Sequence, residues 1–292
     1  MSRASIKNQL LEIGAVDEDT IEIFAKRTRD CDNLTVYRDT LSGVIFINDF
    51  YIGDEVYNAG DYRGDGYSRA TSQTYEDICD AERRFETYKK FTCGKTICDF
   101  GCGAGDFLKL SRNISLEACG VELQKNFVDK LVDFGISCTQ SMPAGKIFDV
   151  VTLFHVLEHL PEPRKQLREL YNNLKPNGAG FIIVEVPHAN DFLVKHMACK
   201  NFVDFTLWSQ HLILHTRDSL QRFLLDAGFK NIKIEGIQRY GISNHLTWLK
   251  DGKPGGHKST LGIFETDELT VAYANALSKV DACDTLVAIA ST

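Results

Sequence analysis

No C-x-x-C pair occurs among the nine cysteines of this chain, which excludes a structural zinc site built from thiolates. No apolar run reaches membrane-spanning length, and the N-terminus "MSRASIKNQLLEIGAVDEDT" turns acidic before a signal-peptide core develops. The expectation is a cytoplasmic protein whose cysteines are reduced thiols and which has no integral membrane segment. Positive charge is not in excess either. The 33 Lys and Arg stand against 40 Asp and Glu, a net charge of −7, so nothing draws in a phosphate backbone and nucleic acid is set aside as a partner. No internal repeat or low-complexity tract is present. What remains is a globular composition, 43% hydrophobic and 25% charged, over 292 residues. That length suits two domains or one elaborated α/β domain.

Residues 3–13 and 17–29 read as two short amphipathic helices, the second opened by Asp17. "LTVYRDTLSGVIFIND" alternates like a hairpin around Ser42-Gly43, and the polar "DYRGDGYSRATSQ" reads as a surface loop. The pattern then changes. After the helical "AERRFETYKKF", the apolar strands "TICDFG", "EACGVEL", "ISCTQ", "FDVVTLF", "GAGFIIVEV" and "KNIKIEGI" alternate with helical stretches. This predicts an α/β fold, a Rossmann-like, mostly parallel sheet with helices on both faces. "DTLVAIAST" adds one more strand after an excursion holding "NHLTWLKDGKPGGH" and a helix with Leu269, Tyr273 and Leu277 on one face.

"FHVLEHLPEP" contains His155-x-x-Glu158-His159, an H-x-x-E-H pattern known from zinc proteases. That chemistry needs both histidines on one helical face. Here Pro161 and Pro163 follow at once and push the preceding residues out of helical geometry. His155 also continues an apolar strand directly, and no downstream ligand in frame is recognisable. A metalloprotease is set aside and no metal is expected. Satisfied loop histidines remain the plain alternative. The strand end is nonetheless where open parallel sheets bind ligands.

In "ICDFGCGAGDFLKL" a strand ends at Asp99, Gly101, Gly103 and Gly105 alternate, and a helix begins near Asp106. Such glycines let a ligand touch bare backbone. Gly105 comes one residue early for the dinucleotide fingerprint, and Asp106 would repel a pyrophosphate at the helix start. An NAD-dependent dehydrogenase is disfavoured, and a cationic or zwitterionic ligand fits better. Glu122 ends the next strand at the distance of a ribose-binding carboxylate. Together these features require a nucleoside whose other end is not a diphosphate.

"DFGCGAGDF", "GVEL", "FDVVTLFHVLEHLPEP" and "LKPNGAGFIIVEVP", in that order, resemble the motifs of class I S-adenosylmethionine-dependent methyltransferases over about residues 77–240. The resemblance implies a seven-stranded core, with S-adenosyl-L-methionine as cofactor and S-adenosyl-L-homocysteine as product. It implies that Asp99, Gly101, Cys102, Gly103 and Gly105 surround the methionine part and that Glu122 holds the ribose. Leu123 would pack on adenine, Ser141 and Met142 would line its rim, and Phe154 and His155 would lie beside the sulfonium. It divides the chain into an N-terminal α+β extension (1–76), a methyltransferase core (77–240) and a C-terminal lid with the final strand (241–292).

"VPHANDF…WSQHLILHTRDSLQRFLLDAGF" further resembles bacterial methyltransferases of sugars and surface-polysaccharide precursors. The C-methylating members use histidines in H-(I/L)-P and Y-x-E-H segments, which His159 and His211 match. Trp208 stands for the tyrosine, Gln210 for the glutamate, and their cysteine-rich zinc module is missing, so O-methylation is the expectation. A sugar hydroxyl benefits from a base, and imidazole is largely neutral near pH 7. His159 is the first candidate and His211 the second, with His155 orienting the nucleophile. His188, Trp208, Gln210 and His245 are candidate acceptor contacts, and Trp248 and Tyr240 offer flat faces. Tyr57 and Tyr62 would reach the cofactor carboxylate, and "KDGKPGGH" would close as a lid over an anionic acceptor. The partner is a small-molecule or glycan acceptor. A quinol or small aromatic, C-methylation of a sugar, and a non-catalytic cofactor-binding scaffold stay open, as does the oligomeric state, a homodimer among the options.

Overall fold

The computed structural model describes residues 5–59 and 75–292. Helix α1 (Ile6–Glu12) opens under Ser5, whose hydroxyl accepts from the Asn8 amide. The helix expected over 17–29 is not formed. Asp17 caps only a single 3-10 turn, and strand β1 (Ile21–Ala25) follows. Ile21-Glu22-Ile23 is a β-branched alternation, and it pairs antiparallel with β2 (Val36–Asp39) instead of coiling. β2 and β3 (Ile45–Ile47) form the expected hairpin. A short helix α2 (Asp54–Ala59) comes next. The polar connector and Tyr62 lie outside the described residues.

The core then runs α3 (Tyr75–Thr92), β4 (Thr96–Phe100), α4 (Asp106–Ser111), β5 (Glu117–Val121), α5 (Lys125–Asp133), β6 (Ser137–Thr139), β7 (Val150–Phe154), α6 (Pro163–Asn172) and β8 (Phe181–Pro187). It continues with α7 (Phe192–Lys195), α8 (Lys200–Thr206), β9 (Ile213–Leu214), α9 (Arg217–Asp226), β10 (Lys230–Ile237), α10 (Ile242–Asp251), α11 (Asp267–Lys279) and β11 (Thr285–Ser291). Seven strands join in the order β10-β11-β8-β7-β4-β5-β6. β11 is antiparallel to both neighbours, and the remaining pairs are parallel. β9 leaves this sheet and pairs with β3, so the N-terminal four-stranded sheet is completed from within the core.

Strand periodicity sorts the core into two layers. Val151, Leu153, Ile182, Val184 and Val186 face one way, against Leu167 and Leu170 of α6 and Leu220 and Phe223 of α9. Val150, Ile183 and Val287 face the other, against Tyr88 of α3 and Phe107 and Leu108 of α4. Glu185 occupies the next position on that second face, in the middle of an apolar strand, with 0% exposure. α3 carries the answer to its charge. Arg83 donates to both Glu185 oxygens at 3.0 and 2.9 Å, the Arg84 Nε–H at 2.9 Å and the Tyr88 hydroxyl at 2.9 Å. The arginines hold the Glu185 carboxyl below its usual range despite burial, which acts the other way.

Removing one partner of a buried ion pair strands the others. Glu185→Ala is therefore expected to cost about 3–5 kcal/mol in a urea denaturation. A loss in the range of an exposed pair, about 0–1 kcal/mol, would contradict this reading.

Candidate active site

A cleft of about 1680 Å³ opens beyond the carboxyl ends of β4, β5 and β7. That is more than the roughly 300–1,000 Å³ of a single small-molecule site, so it has room for a cofactor and an acceptor together. Its floor is the β4–α4 turn. The Gly101 and Cys102 amides both donate to Val121 O, at 2.7 and 3.1 Å, and the Gly105 amide closes the turn on Cys102 O. Gly101 and Gly105 have φ of +74° and +72°, a left-handed region that favours glycine. A Cβ on Gly101 would stand 2.5 Å from Val156, and one on Gly105 would run into Leu131.

Glu122 sits at the tip of β5, nearly buried, and accepts from the Gly103 amide at 2.9 Å and the Gln124 amide at 2.8 Å. One oxygen serves each amide, so each keeps an electron pair for a further donor. Asp99 is buried at the tip of β4, with the Thr152 hydroxyl donating to it at 2.7 Å. Burial pushes its pKa up to about 7. Such a carboxyl is best matched by a positive ligand. Leu123, Ser141, Met142 and Phe154 line the same cleft. Phe154 is wedged between Tyr88 and Phe107, with the Arg84 guanidinium 4.6 Å from its ring centre.

At the other end stand the residues of the H-x-x-E-H segment. Residues 157–159 make a single 3-10 turn, and α6 starts only at Pro163, as the prolines require. His155 has a φ of +56°, and its amide donates to Glu185 O at 2.9 Å. Its Nε2 accepts from Arg239 at 3.1 Å, which leaves the proton on Nδ1. Burial, and then Arg239, hold its pKa well below the ordinary value. His155 is therefore a neutral group already engaged at its basic nitrogen.

Two bonds, one between main chains and one from a histidine ring to a main-chain oxygen, lace this turn to residues 210–212. The Leu212 amide donates to Glu158 O at 2.8 Å, and the His159 Nδ1–H donates to Gln210 O at 2.8 Å. Ile47 of β3 secures the same segment from the far side, its amide donating to Leu212 O. His211 is thereby set 5.1 Å, ring to ring, from His159. Trp208 lines the cleft beside them, its ring 5.7 Å from His159 and under the Arg29 guanidinium. Tyr57 also lines it, 6.5 Å from His159.

Three of the expected acceptor contacts, His188, Gln210 and His245, are buried inside the fold and do not line the cleft. His188 is buried, with its Nδ1–H donating to Cys283 O at 3.0 Å. The Gln210 side chain is buried and donates to Ser209 Oγ at 2.9 Å. His245 stacks on Phe192 and shares a 2.7 Å hydrogen bond with the Tyr273 hydroxyl. Trp248 offers no flat face to the cleft either, being packed between Phe202 and Phe205. Sequence reasoning missed Arg84, Arg239 and Asp30, all of which line the cleft. It also gave no role to Glu158, whose carboxyl is fully buried without a hydrogen bond and is raised to about 8 by burial. An acid inside an otherwise apolar "HVLEHL" was the available signal.

Residues 71–234 match a family described as a methyltransferase domain, and the chain belongs to that family. It is a class I S-adenosylmethionine-dependent methyltransferase, and S-adenosylmethionine is its cofactor. A ubiquinone biosynthesis O-methyltransferase of Burkholderia pseudomallei is 23% identical over 171 residues, 52% of this chain and 74% of its own. One of Pseudomonas paraeruginosa is 28% identical over 103 residues, 30% of this chain and 44% of its own. A crystal structure of a SAM-dependent methyltransferase from Archaeoglobus fulgidus superposes with a TM-score of 0.51 at 19% identity, covering 74% of this chain and 94% of that one. The last likeness concerns the fold alone.

Because Asp99 titrates near 7 when folded and near 3.8 when not, the fold favours its neutral form. Its contribution is fully present below about pH 4 and is lost as pH rises through about 7. Asp99→Asn is thus expected to gain stability relative to the parent between those pH values and to hold that gain above them. Denaturation curves of both proteins at several pH values check this, and parallel curves would contradict it.

Proposed function

We propose that this methyltransferase transfers a methyl group to a hydroxyl oxygen of a sugar, sugar nucleotide or surface-polysaccharide intermediate. The observation that carries the reading is the polar lining of the cleft, where Arg29 and His159 stand against the Trp208 ring and Asp30, Tyr57 and Arg239 also line the wall. A sugar needs several polar partners and a flat face, whereas a quinol asks for a mostly apolar wall. C-methylation is disfavoured by Gln210, whose buried amide does not reach the cleft.

In this reading Glu122 accepts from the two ribose hydroxyls, and Asp99 and the glycine turn receive the methionine end. The methyl on the sulfonium is already activated, so the protein mostly aligns and desolvates. In-line placement of oxygen, methyl and sulfur is worth up to about 7–11 kcal/mol in well-oriented models. Since the Nδ1–H of His159 is committed to Gln210 O, its Nε2 is the nitrogen able to take the acceptor's proton. Ahead of the core strand β11, the part of the 241–292 segment that holds α10 suits a lid: Trp248 docks α10 on Phe205 at the cleft edge, and His257 reaches to 3.7 Å from Glu76 of α3. The described residues include no helix long and apolar enough to cross a membrane, and all nine cysteines are free, which supports a cytoplasmic setting.

A quinol acceptor is the second reading, favoured by relatives named ubiquinone biosynthesis O-methyltransferase. Incubation with methyl-labelled cofactor and separate panels of sugar nucleotides, lipid-linked glycans and catechol-type quinols, read by mass spectrometry, decides between them. Label in the first two panels is expected; label confined to the quinols would replace this proposal with the second. Glu122→Ala should weaken cofactor binding by about 1–3 kcal/mol by titration calorimetry. His159→Ala should lower turnover by about 10²–10⁴-fold, the range for a positioned base, with cofactor affinity nearly unchanged. An unaltered rate would remove His159 from the chemistry.

A further inference from the structure

We propose that Glu158, His159 and His211 form a binding site for one divalent first-row transition cation at the acceptor end of the cleft. One ligating atom from each of the three lies within 4.8 Å of the other two. Glu158 Oε1 is 3.8 Å from His159 Nε2. Bonds of roughly 2.0–2.2 Å would require the three side chains to close by about 1–2 Å, a rotamer-scale adjustment.

Two further features point to a cation. The Nδ1–H of His159 donates to Gln210 O at 2.8 Å and that of His211 donates to Thr206 O at 3.3 Å. A carbonyl only accepts, so each ring is held as the tautomer with its electron pair on Nε2. This is the outer-shell arrangement that orients metal-ligating histidines. Glu158 supplies the charge. It has 0% exposure and neither carboxylate oxygen completes a hydrogen bond, although His155 Nδ1 stands 3.3 Å from Oε1. An acid desolvated to that degree is costly unless a positive partner balances it.

Two imidazoles and one carboxylate select a borderline cation such as Zn²⁺, Fe²⁺, Co²⁺ or Mn²⁺ over Mg²⁺ or Ca²⁺. His159 lines the cleft, so open coordination positions on that side would take an acceptor hydroxyl, whose proton would leave to solvent. His159 would then hold the cation in place of receiving the proton. The site stands on this geometry and requires neither a sugar nor a quinol.

The test is titration of the chelator-stripped full chain with Co²⁺, followed by visible ligand-field absorption and by equilibrium dialysis. One Co²⁺ per chain is expected, competed by Zn²⁺, with an upward shift of the thermal midpoint. Glu158→Gln and His211→Ala should each weaken Co²⁺ binding at least ten-fold while S-adenosylmethionine affinity, by calorimetry, stays within two-fold. Glu158→Gln keeps the side-chain volume and removes a buried charge, so its fold should survive. His196→Ala, an exposed histidine away from the cluster, should bind Co²⁺ as the parent does. No Co²⁺ uptake by the parent, or equal uptake by parent and both cluster variants, would overturn the proposal. No acceptor is present in this experiment, so its failure is separate from a failure of the acceptor assignment.

Discussion

Glu185 is the constraint from which the site is built. A carboxylate in the middle of a central strand is a desolvation cost that must be offset locally, and α3 offsets it with Arg83, Arg84 and Tyr88. Asp80, one turn earlier on α3, accepts from Arg83 at 3.3 Å and from Arg239 Nε at 3.1 Å. Arg239 lies just beyond β10 and donates on to His155. The main-chain oxygen of Glu185 accepts the His155 amide. One buried charge therefore fixes the helix that covers the cleft, the end of β10 and the left-handed residue that ends β7. The charges alternate along the chain Glu185, Arg83, Asp80, Arg239. Each is thus held mainly by its neighbours, and the low dielectric that penalises any one of them strengthens the set.

A second constraint assembles the acceptor end. Residues 157–159 and 210–212 are far apart in sequence, and the bonds between them, Leu212 N–H to Glu158 O and His159 Nδ1–H to Gln210 O, are made beside the pairing of β9 with β3. The N-terminal sheet is in this sense part of the site's scaffold. It holds the segment that presents Trp208 and His211, and it brings Arg29 over the Trp208 ring. Asp30 contributes from the same stretch, accepting from the Ser209 amide at 3.0 Å and from its hydroxyl at 2.6 Å.

What was legible in the sequence follows from these two constraints. The strands, the glycine turn and Glu122 were readable because their causes are local: apolar periodicity, left-handed backbone, and a carboxylate at a strand tip. The 17–29 segment was misread because its helical spacing is weaker than the β-branched alternation of Ile21 and Ile23, which only a partner strand reveals. His188 and His245 were singled out by residue type and place in the chain. Residue type does not show that Cys283 O and the Tyr273 hydroxyl engage their Nδ1 atoms inside the fold. Glu185 was hidden inside "FIIVEVP", where a lone acid in an apolar strand reads as an interruption, and its arginines are about a hundred residues earlier. Pro161 and Pro163 correctly argued against a helical H-x-x-E-H. They said nothing about His211, which arrives from the loop ahead of β9.

The cleft that results is lined or backed by buried ionisable groups held near or in their neutral forms, Asp99 and His155 in its wall and Glu158 and His211 behind it. Burial raises Asp99 to about 7 and Glu158 to about 8, and it lowers His155 and His211 well below the ordinary histidine value. Groups buried in this way answer strongly to any charge brought beside them, because the surrounding protein screens it less than bulk water would. A cationic cofactor beside Asp99 favours the carboxylate form there, so binding near neutral pH should carry a released proton. Burial first, and then Arg239 and Arg84, keep the imidazole of His155 from taking that proton. Arg84, which helps satisfy the buried glutamate, and Arg239, tied to the same network through Asp80, thus also weigh on the protonation of His155, and the structural and electrostatic roles of the network overlap.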